Sequence, residues 1–251
     1  MQEKLIVYYR ALVAFLIMSA TGSLALMLRV ISFGLLMDFN RRFLVAYSSR
    51  LILKLIGVTL ILPPKSAYPK RQVFYTFNHN SYLDVLIITA LGLTNNRFIL
   101  SVKTYKFVPM TISALAIGTL YIPLKKDMEQ RMKFFKNTEL KIIKEGCSVF
   151  ASSEGVHEFV HGVAPFNKGI YHMAINCSLP VQPVYFHIPR AVNSLEGAVF
   201  KSGTVRVELL KMIETRDWSV ENLVEHVESV REVFLQKFSE AHGESVAENS
   251  F

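Results

Sequence analysis

The run Asn78-His79-Asn80-Ser81-Tyr82-Leu83-Asp84 gathers an imidazole, a carboxylate, an alcohol, a phenol and two amides into one short stretch. Imidazole titrates near neutrality, which makes His79 the candidate general base. Asp84, five residues on, can accept the second ring N–H, fix the tautomer and stabilise the imidazolium formed when a proton arrives. That is the base-and-orienter half of a triad with no protein nucleophile, so the nucleophile would be a hydroxyl of the substrate. The rival reading is structural: Asn80 or Ser81 caps a helix and His79 is a surface side chain.

The elements around the segment say where it would sit. Val73–Phe77 is β-rich and Tyr82–Leu91 is an apolar helical stretch, so the polar run is a strand-to-helix turn. Further strands are expected at Arg97–Val102, Thr119–Ile122, Ser148–Ala151, Val181–Phe186 and Val205–Leu210. Helices are expected over Pro109–Ile117, Met128–Lys144 and Phe166–Asn176. A last helix is capped by Ser219, with Val220, Leu223, Val224, Val227, Val230, Phe234 and Phe238 on one apolar face. This alternation predicts an α/β domain with a mostly parallel central sheet flanked by helices. Ligands of such sheets bind outside the carboxyl ends of the strands, where this turn falls. Pro180 and Pro183 are expected to shape a strand edge.

The N-terminal third is different. Ala11–Leu28 contains no charged residue and is bounded by Arg10 and Arg29, long enough for a membrane-spanning helix. Its Thr21-Gly22-Ser23 centre allows one continuous helix, or two shorter ones dipping into a single leaflet. Leu51–Leu62 is too short to span and is expected in the interface or under the main domain. The formal charge of +8 sits entirely in residues 1–71, which hold ten basic and two acidic side chains. Basic residues beside long apolar runs favour an anionic lipid surface over nucleic acid. Arg29, Arg41, Arg42 and Arg50, against Lys4 and Arg10 upstream, place the C-terminal side in the cytoplasm by the positive-inside rule. The expected organisation is a membrane-anchoring helical region over 1–62, an α/β domain over 63–240 and a flexible tail over 241–251. The anchor is read as N-terminal apolar membrane helices, and the location as the cytoplasmic (inner) membrane with the domain facing the cytoplasm. Cys147 and Cys177 form no metal spacing and read as small buried hydrophobes.

Asn78-His79-x-Ser81-x-x-Asp84 resembles the first motif of the glycerolipid acyltransferases, the family of 1-acylglycerol-3-phosphate acyltransferases. Three more blocks follow in the family's order. Lys103, Pro109 and Gly118-Thr119-Leu120-Tyr121-Ile122 resemble the second. Glu154-Gly155 with Pro165-Phe166-x-Lys168-Gly169 and Ala174 resembles the third. Leu179-Pro180-Val181-x-Pro183-Val184 resembles the fourth. The resemblance covers about residues 50–210. It implies transfer of an acyl group from acyl-CoA or acyl carrier protein to a lysolipid hydroxyl, with His79 and Asp84 catalytic. It also implies substrate-binding roles for Asn78, Ser81, Lys103, Glu154, Gly155, His157 and Lys168. Membrane lipids and the acyl donor are the expected partners; no metal, no other cofactor and no nucleic acid are expected.

Two departures bear on the acceptor. The family's third block reads Glu-Gly-Thr-Arg-Ser, whereas this chain has Glu154-Gly155-Val156-His157-Glu158. The second block usually ends in an arginine, whereas Pro123-Leu124 follow Ile122 here. In the family those arginines hold the acceptor's phosphate, and neither histidine nor leucine reproduces a bidentate fork. Lys125, Lys126 or Lys168 could compensate as point charges. The expected acceptor is therefore a lysophospholipid with a blocked phosphate, or a phosphate-free lipid such as an acylated amino acid.

His157-Glu158-Phe159-Val160-His161 also matches the H-E-x-x-H of zinc proteases. That chemistry needs a sustained helix to bring two histidines onto one metal. Gly155, Gly162 and Pro165 bracket the segment too closely, so the histidines read as loop residues beside the acceptor. The remaining rivals are a catalytically silent lipid-binding protein on the same fold and a thioesterase with water as acceptor.

Overall fold

The computed structural model describes residues 2–79, 81–155, 162–189, 191–192 and 201–242. The chain opens with α1 (Gln2–Ile31), α2 (Met37–Phe39), a π-helical turn over Asn40–Val45, and α3 (Ala46–Leu55). Of the two options for Thr21-Gly22-Ser23, the structure takes the continuous helix, in which Thr21 Oγ1 donates back to the Ile17 carbonyl at 2.7 Å. Threonine hydroxyls satisfied in this way are tolerated inside a helix.

Seven strands follow in the order β1 (Val58–Ile61), β2 (Phe74–Phe77), β3 (Asn96–Ser101), β4 (Leu120–Ile122), β5 (Ser148–Ser152), β6 (Val181–His187) and β7 (Gly203–Leu209). The helices between and after them are α4 (Asp84–Ala90), α5 (Val108–Ala116), α6 (Met128–Glu145), α7 (Lys168–Asn176) and α8 (Leu223–His242). The sheet order is β1-β7-β6-β2-β5-β3-β4. Every pairing is parallel except β6 with β7. The expected α/β architecture is present.

Three details depart from the sequence reading. The sheet reaches into residues assigned to the anchor, since Val58–Ile61 pairs with β7 from Val58↔Gly203 to Ile61↔Arg206. The apolar stretch Leu51–Leu62 is thus divided between α3 and β1. Pro183 sits inside the sheet, between β2 and β7, rather than at an edge. Leu210 N donates to the Pro183 carbonyl at 3.0 Å, but proline has no N–H to return. The Gln182 side-chain amide reaches the Leu210 carbonyl instead, at 2.7 Å, and fills the gap in the ladder. Finally, α8 begins at Leu223, and the Ser219 N–H donates to Asn222 Oδ1 at 2.7 Å rather than Ser219 capping the helix. Val220 and Val224 are exposed, while Leu223, Val227, Val230, Phe234 and Phe238 are buried.

Two cores flank the sheet. Ala25, Leu53, Ile87 and Ala116 from α1, α3, α4 and α5 pack one face with Phe77 and Phe150. Ile142, Tyr171 and Phe234 from α6, α7 and α8 pack the other. On the first face, the last carbonyls of α5, which no intrahelical N–H can reach, are capped from the N-terminal region. Arg29 reaches Leu115 O, Asn40 Nδ2 reaches Ala116 O at 3.4 Å, and Arg41 Nε reaches Ile117 O at 2.9 Å. Gly22 lies so close to Ser113 that a methyl group there would stand 2.5 Å from its Oγ, so α1 and α5 cross at a residue without a side chain. The 24-residue stretch Tyr8–Ile31 of α1 is long and apolar enough to cross a bilayer, and only 11% of its most apolar window is buried within the protein.

Candidate active site

β2 is fully buried and ends at Phe77, beside β6 on one side and β5 on the other. The connection leaving β2 runs through α4 to β3, and the one leaving β5 runs through α7 to β6. Neighbouring strands whose connections depart in opposite directions open a crevice at their carboxyl ends. His79 follows β2 and Glu154 follows β5, so both stand at this crevice.

His79 Nδ1 lies 2.7 Å from Asp84 Oδ2. Asp84 is the first residue of α4 and is fully buried; its Oδ2 also accepts the Ser81 N–H at 3.2 Å. Ser81 Oγ in turn accepts the Leu83 N–H at 3.1 Å. Local bonds therefore fold the turn so that the carboxylate meets the ring. The ring edge of His79 packs on Phe77 with centroids 5.7 Å apart. Burial alone would lower the His79 pKa. The hydrogen bond to Asp84 and the charges of Asp84 and Glu154 outweigh it and leave the pKa raised above its usual 6.5.

Asn78 faces β6. Its Nδ2 donates to the Phe186 carbonyl at 3.1 Å and its Oδ1 accepts the Phe186 N–H at 2.8 Å, so both ends of the amide extend the ladder past the end of β2. Glu154 is buried at 2% exposure. Its Oε1 accepts the His79 N–H at 2.8 Å and its Oε2 the Ala164 N–H at 2.9 Å. Burial pushes its pKa up to about 7, against the two backbone N–H donors that lower it. Gly155 has φ +68°, and a side chain there would stand 2.8 Å from Asn167 Nδ2, which donates to the Ser153 and Glu154 carbonyls. Glycine is the residue that meets both demands.

The structure thus brings together His79, Asp84, Asn78, Ser81, Glu154 and Gly155. Lys103 and Lys168 are exposed on the same edge of the sheet, Lys103 in the turn after β3 and Lys168 at the start of α7. Asn80, His157, Glu158 and His161 lie outside the described residues. Among the described residues no group of three or more His, Cys, Asp and Glu could hold a metal ion.

Sequence reasoning missed the supports beneath this edge. Thr76 Oγ1, Ser153 Oγ and Tyr171 Oη form a buried hydroxyl chain joining β2, the end of β5 and α7, with Ser153 and Tyr171 2.7 Å apart. Arg231 of α8 donates through Nε to Ala164 O at 3.2 Å and through Nη2 to Val163 O at 3.0 Å. No spacing in the chain joins Arg231 to residues nearly seventy positions earlier. A separate narrow apolar cleft lies between α1, α3, α4, α5 and β3. It is lined by Val85 and Leu86, directly after Asp84, and extends to Met18, Val45, Phe98 and Met110.

The family model for acyltransferases matches residues 62–187, half of the chain. The protein belongs to the acyltransferase family. The chain is 24% identical over 192 residues to the 1-acyl-sn-glycerol-3-phosphate acyltransferase of Saccharomyces cerevisiae, covering 74% of this chain and 62% of the yeast protein. It is 21% identical over 203 residues to the enzyme of the same name from Cocos nucifera, covering 77% of this chain and 62% of that one. It spans about three-fifths of the length of these curated relatives. Among solved structures, PlsC, the 1-acyl-sn-glycerophosphate (LPA) acyltransferase of Thermotoga maritima, shares the fold. The TM-score is 0.72 at 15% identity, over 94% of this chain and 97% of that one.

Proposed function

We propose that this acyltransferase-family member is a membrane-associated O-acyltransferase that moves a fatty acyl group from acyl-CoA or acyl carrier protein to a lysolipid hydroxyl. The observation that carries the reading is the 2.7 Å contact between His79 Nδ1 and Asp84 at the β2–β5 crevice. With Nδ1–H held by the carboxylate, Nε2 is the nitrogen that takes the acceptor's proton. The acceptor oxygen attacks the thioester carbonyl, the C–S bond breaks, and the imidazolium returns its proton to the leaving thiolate. A thioester is already activated, so positioning and proton transfer suffice, with no metal or further cofactor. Asn78, Ser81, Glu154 and Gly155 shape the turn that presents the base. Lys103 and Lys168 are exposed cations on that edge suited to anionic groups of donor or acceptor. The apolar lining that includes Val85, Leu86 and Met18 has the chemistry to receive an acyl chain from the α1 side once the cleft widens.

The acceptor we favour lacks a free phosphate monoester, because Pro123-Leu124 stand where the family has an arginine. Arg131, the nearest arginine in the chain, spends Nη1 on the Pro123 carbonyl at 2.7 Å, which leaves Lys125 and Lys126 as point charges beside that position. Exposed apolar side chains along α1, including Leu12, Phe15, Leu16 and Met27, support seating on the cytoplasmic leaflet of the inner membrane.

The test is an acceptor screen with one labelled acyl thioester, read by mass spectrometry. We expect product with blocked lysophospholipids or acylated amino acids, and a strong preference for lysophosphatidate would refute the acceptor assignment. His79→Ala should cut turnover roughly 10²–10⁴-fold while vesicle binding stays intact. Activity that survives this change would remove His79 as the base.

A further inference from the structure

Glu154 stands at the crevice, yet it is only 2% exposed and each of its oxygens already accepts a backbone N–H. Oε1 takes the His79 N–H and Oε2 takes the Ala164 N–H, at 2.8 and 2.9 Å, and the side chain is buried. The carboxylate therefore ties the backbone of the His79 turn to the backbone of Ala164. On the far side of Ala164, the guanidinium of Arg231 grips the Val163 and Ala164 carbonyls. Arg231 is held in turn by Glu228 at 2.7 Å, one turn back along α8. The contacts run without a break from α8 through residues 163–164 and Glu154 to the backbone of His79, whose ring is fixed from the opposite side by Asp84.

We propose that Glu154 and Arg231 are positioning residues, a two-part clasp that sets the height of the His79 turn against the sheet, and that Glu154 is not a ligand of the acceptor. The inference rests on the acyltransferase reading above. Its physical basis is that a buried carboxylate, when ionised, accepts strong and directional charge-assisted bonds from two backbone N–H groups. A base displaced by an ångström or less loses much of its advantage. Among the described residues the ionisable groups acting on His79 are Asp84 from α4 and Glu154 just after β5, so the clasp also contributes charge beside the ring.

The experiment uses the full chain in lipid nanodiscs and has two arms. Amide hydrogen exchange, read by NMR, should show the His79 and Ala164 N–H groups protected. Glu154→Gln turns an amide N–H toward one of them and should speed its exchange roughly tenfold or more. Arg231→Met should speed exchange at Ala164. In the kinetic arm, both variants should lose about 10–100-fold in kcat with the acceptor KM nearly unchanged. The acid limb of kcat/KM should move to lower pH in Glu154→Gln and stay in place in Arg231→Met, a separation that general loss of folded protein does not produce. A raised acceptor KM with wild-type kcat would make Glu154 a substrate ligand and overturn the clasp, as would wild-type exchange at both amides. A wild-type protein without transferase activity would sink the acyltransferase reading instead, while the exchange arm still decides the clasp.

Discussion

The two helical layers on either side of the sheet bury similar kinds of side chains inward and present different surfaces outward. The α6–α8 layer is mixed on its outer side: Thr138, Ile142, Tyr171, Val227 and Phe234 face the sheet, while Lys133, Lys136 and Glu232 share the exposed surface with Met132, Leu140 and Ile143. The α1–α5 layer is apolar on both sides. Leu12, Leu16, Val30, Phe33, Leu35, Tyr47 and Leu51 are exposed, and the basic excess of the chain lies among them. A surface of this kind is stable where its solvent is lipid. The difference teaches how the labour is divided. Asp84 belongs to the layer with the apolar outer surface and Glu154 follows the strand leading into the other layer, and both bond to His79. His79 is therefore held from both sides of the sheet, and the apolar cleft lies on the α1–α5 side.

Asp84→Asn gives the sharpest view of this division. It keeps the shape of α4 but removes the acceptor that fixes the ring tautomer, so transfer should fall about 10³–10⁴-fold with unchanged binding to anionic vesicles. Joint loss of both properties would show that the site and the lipid-facing surface are not separable.

The reverse experiment places charge on that surface. Leu12→Glu with Leu16→Glu should release the protein from vesicles in a flotation assay while transfer from a short, soluble thioester to a soluble acceptor persists within about threefold. Vesicle binding that survives would place the lipid contact elsewhere.

A smaller effect follows from pH. His79 must be neutral to accept a proton, and its pKa in the folded protein is raised, so the acid limb of kcat/KM should lie above 6.5. The same shift has a stability consequence of the opposite sense. Protonated His79 stabilises the fold fully below the unfolded value of 6.5, and that contribution fades as pH rises through the folded value. Asp84→Asn should move the residual acid limb downward, and an unmoved limb would assign it to another group.

The mildest change lies under the second layer. Tyr171→Phe deletes one partner of the buried Thr76–Ser153–Tyr171 chain and should cost about 1 kcal/mol of stability, seen as a lower denaturant midpoint. Turnover per folded molecule should stay near wild type. A large loss of kcat would extend the positioning network into α7.

Much of this molecule is legible in the chain because its causes are local. Alternating apolar strands and amphipathic helices define α/β layering by their periods. The uncharged run Ala11–Leu28 marks a helix suited to lipid by length alone. His79 and Asp84 could be paired on paper because a turn of five residues brings them together whatever the rest of the chain does. What the tertiary structure decided are the contacts that join distant residues. Phe186 occupies both ends of the Asn78 amide, Ala164 and the His79 backbone occupy both oxygens of Glu154, and β7 draws Val58–Ile61 into the sheet. These partners are mostly backbone groups, which every residue carries and no residue type advertises, so only the folding of the chain into one place could assign them.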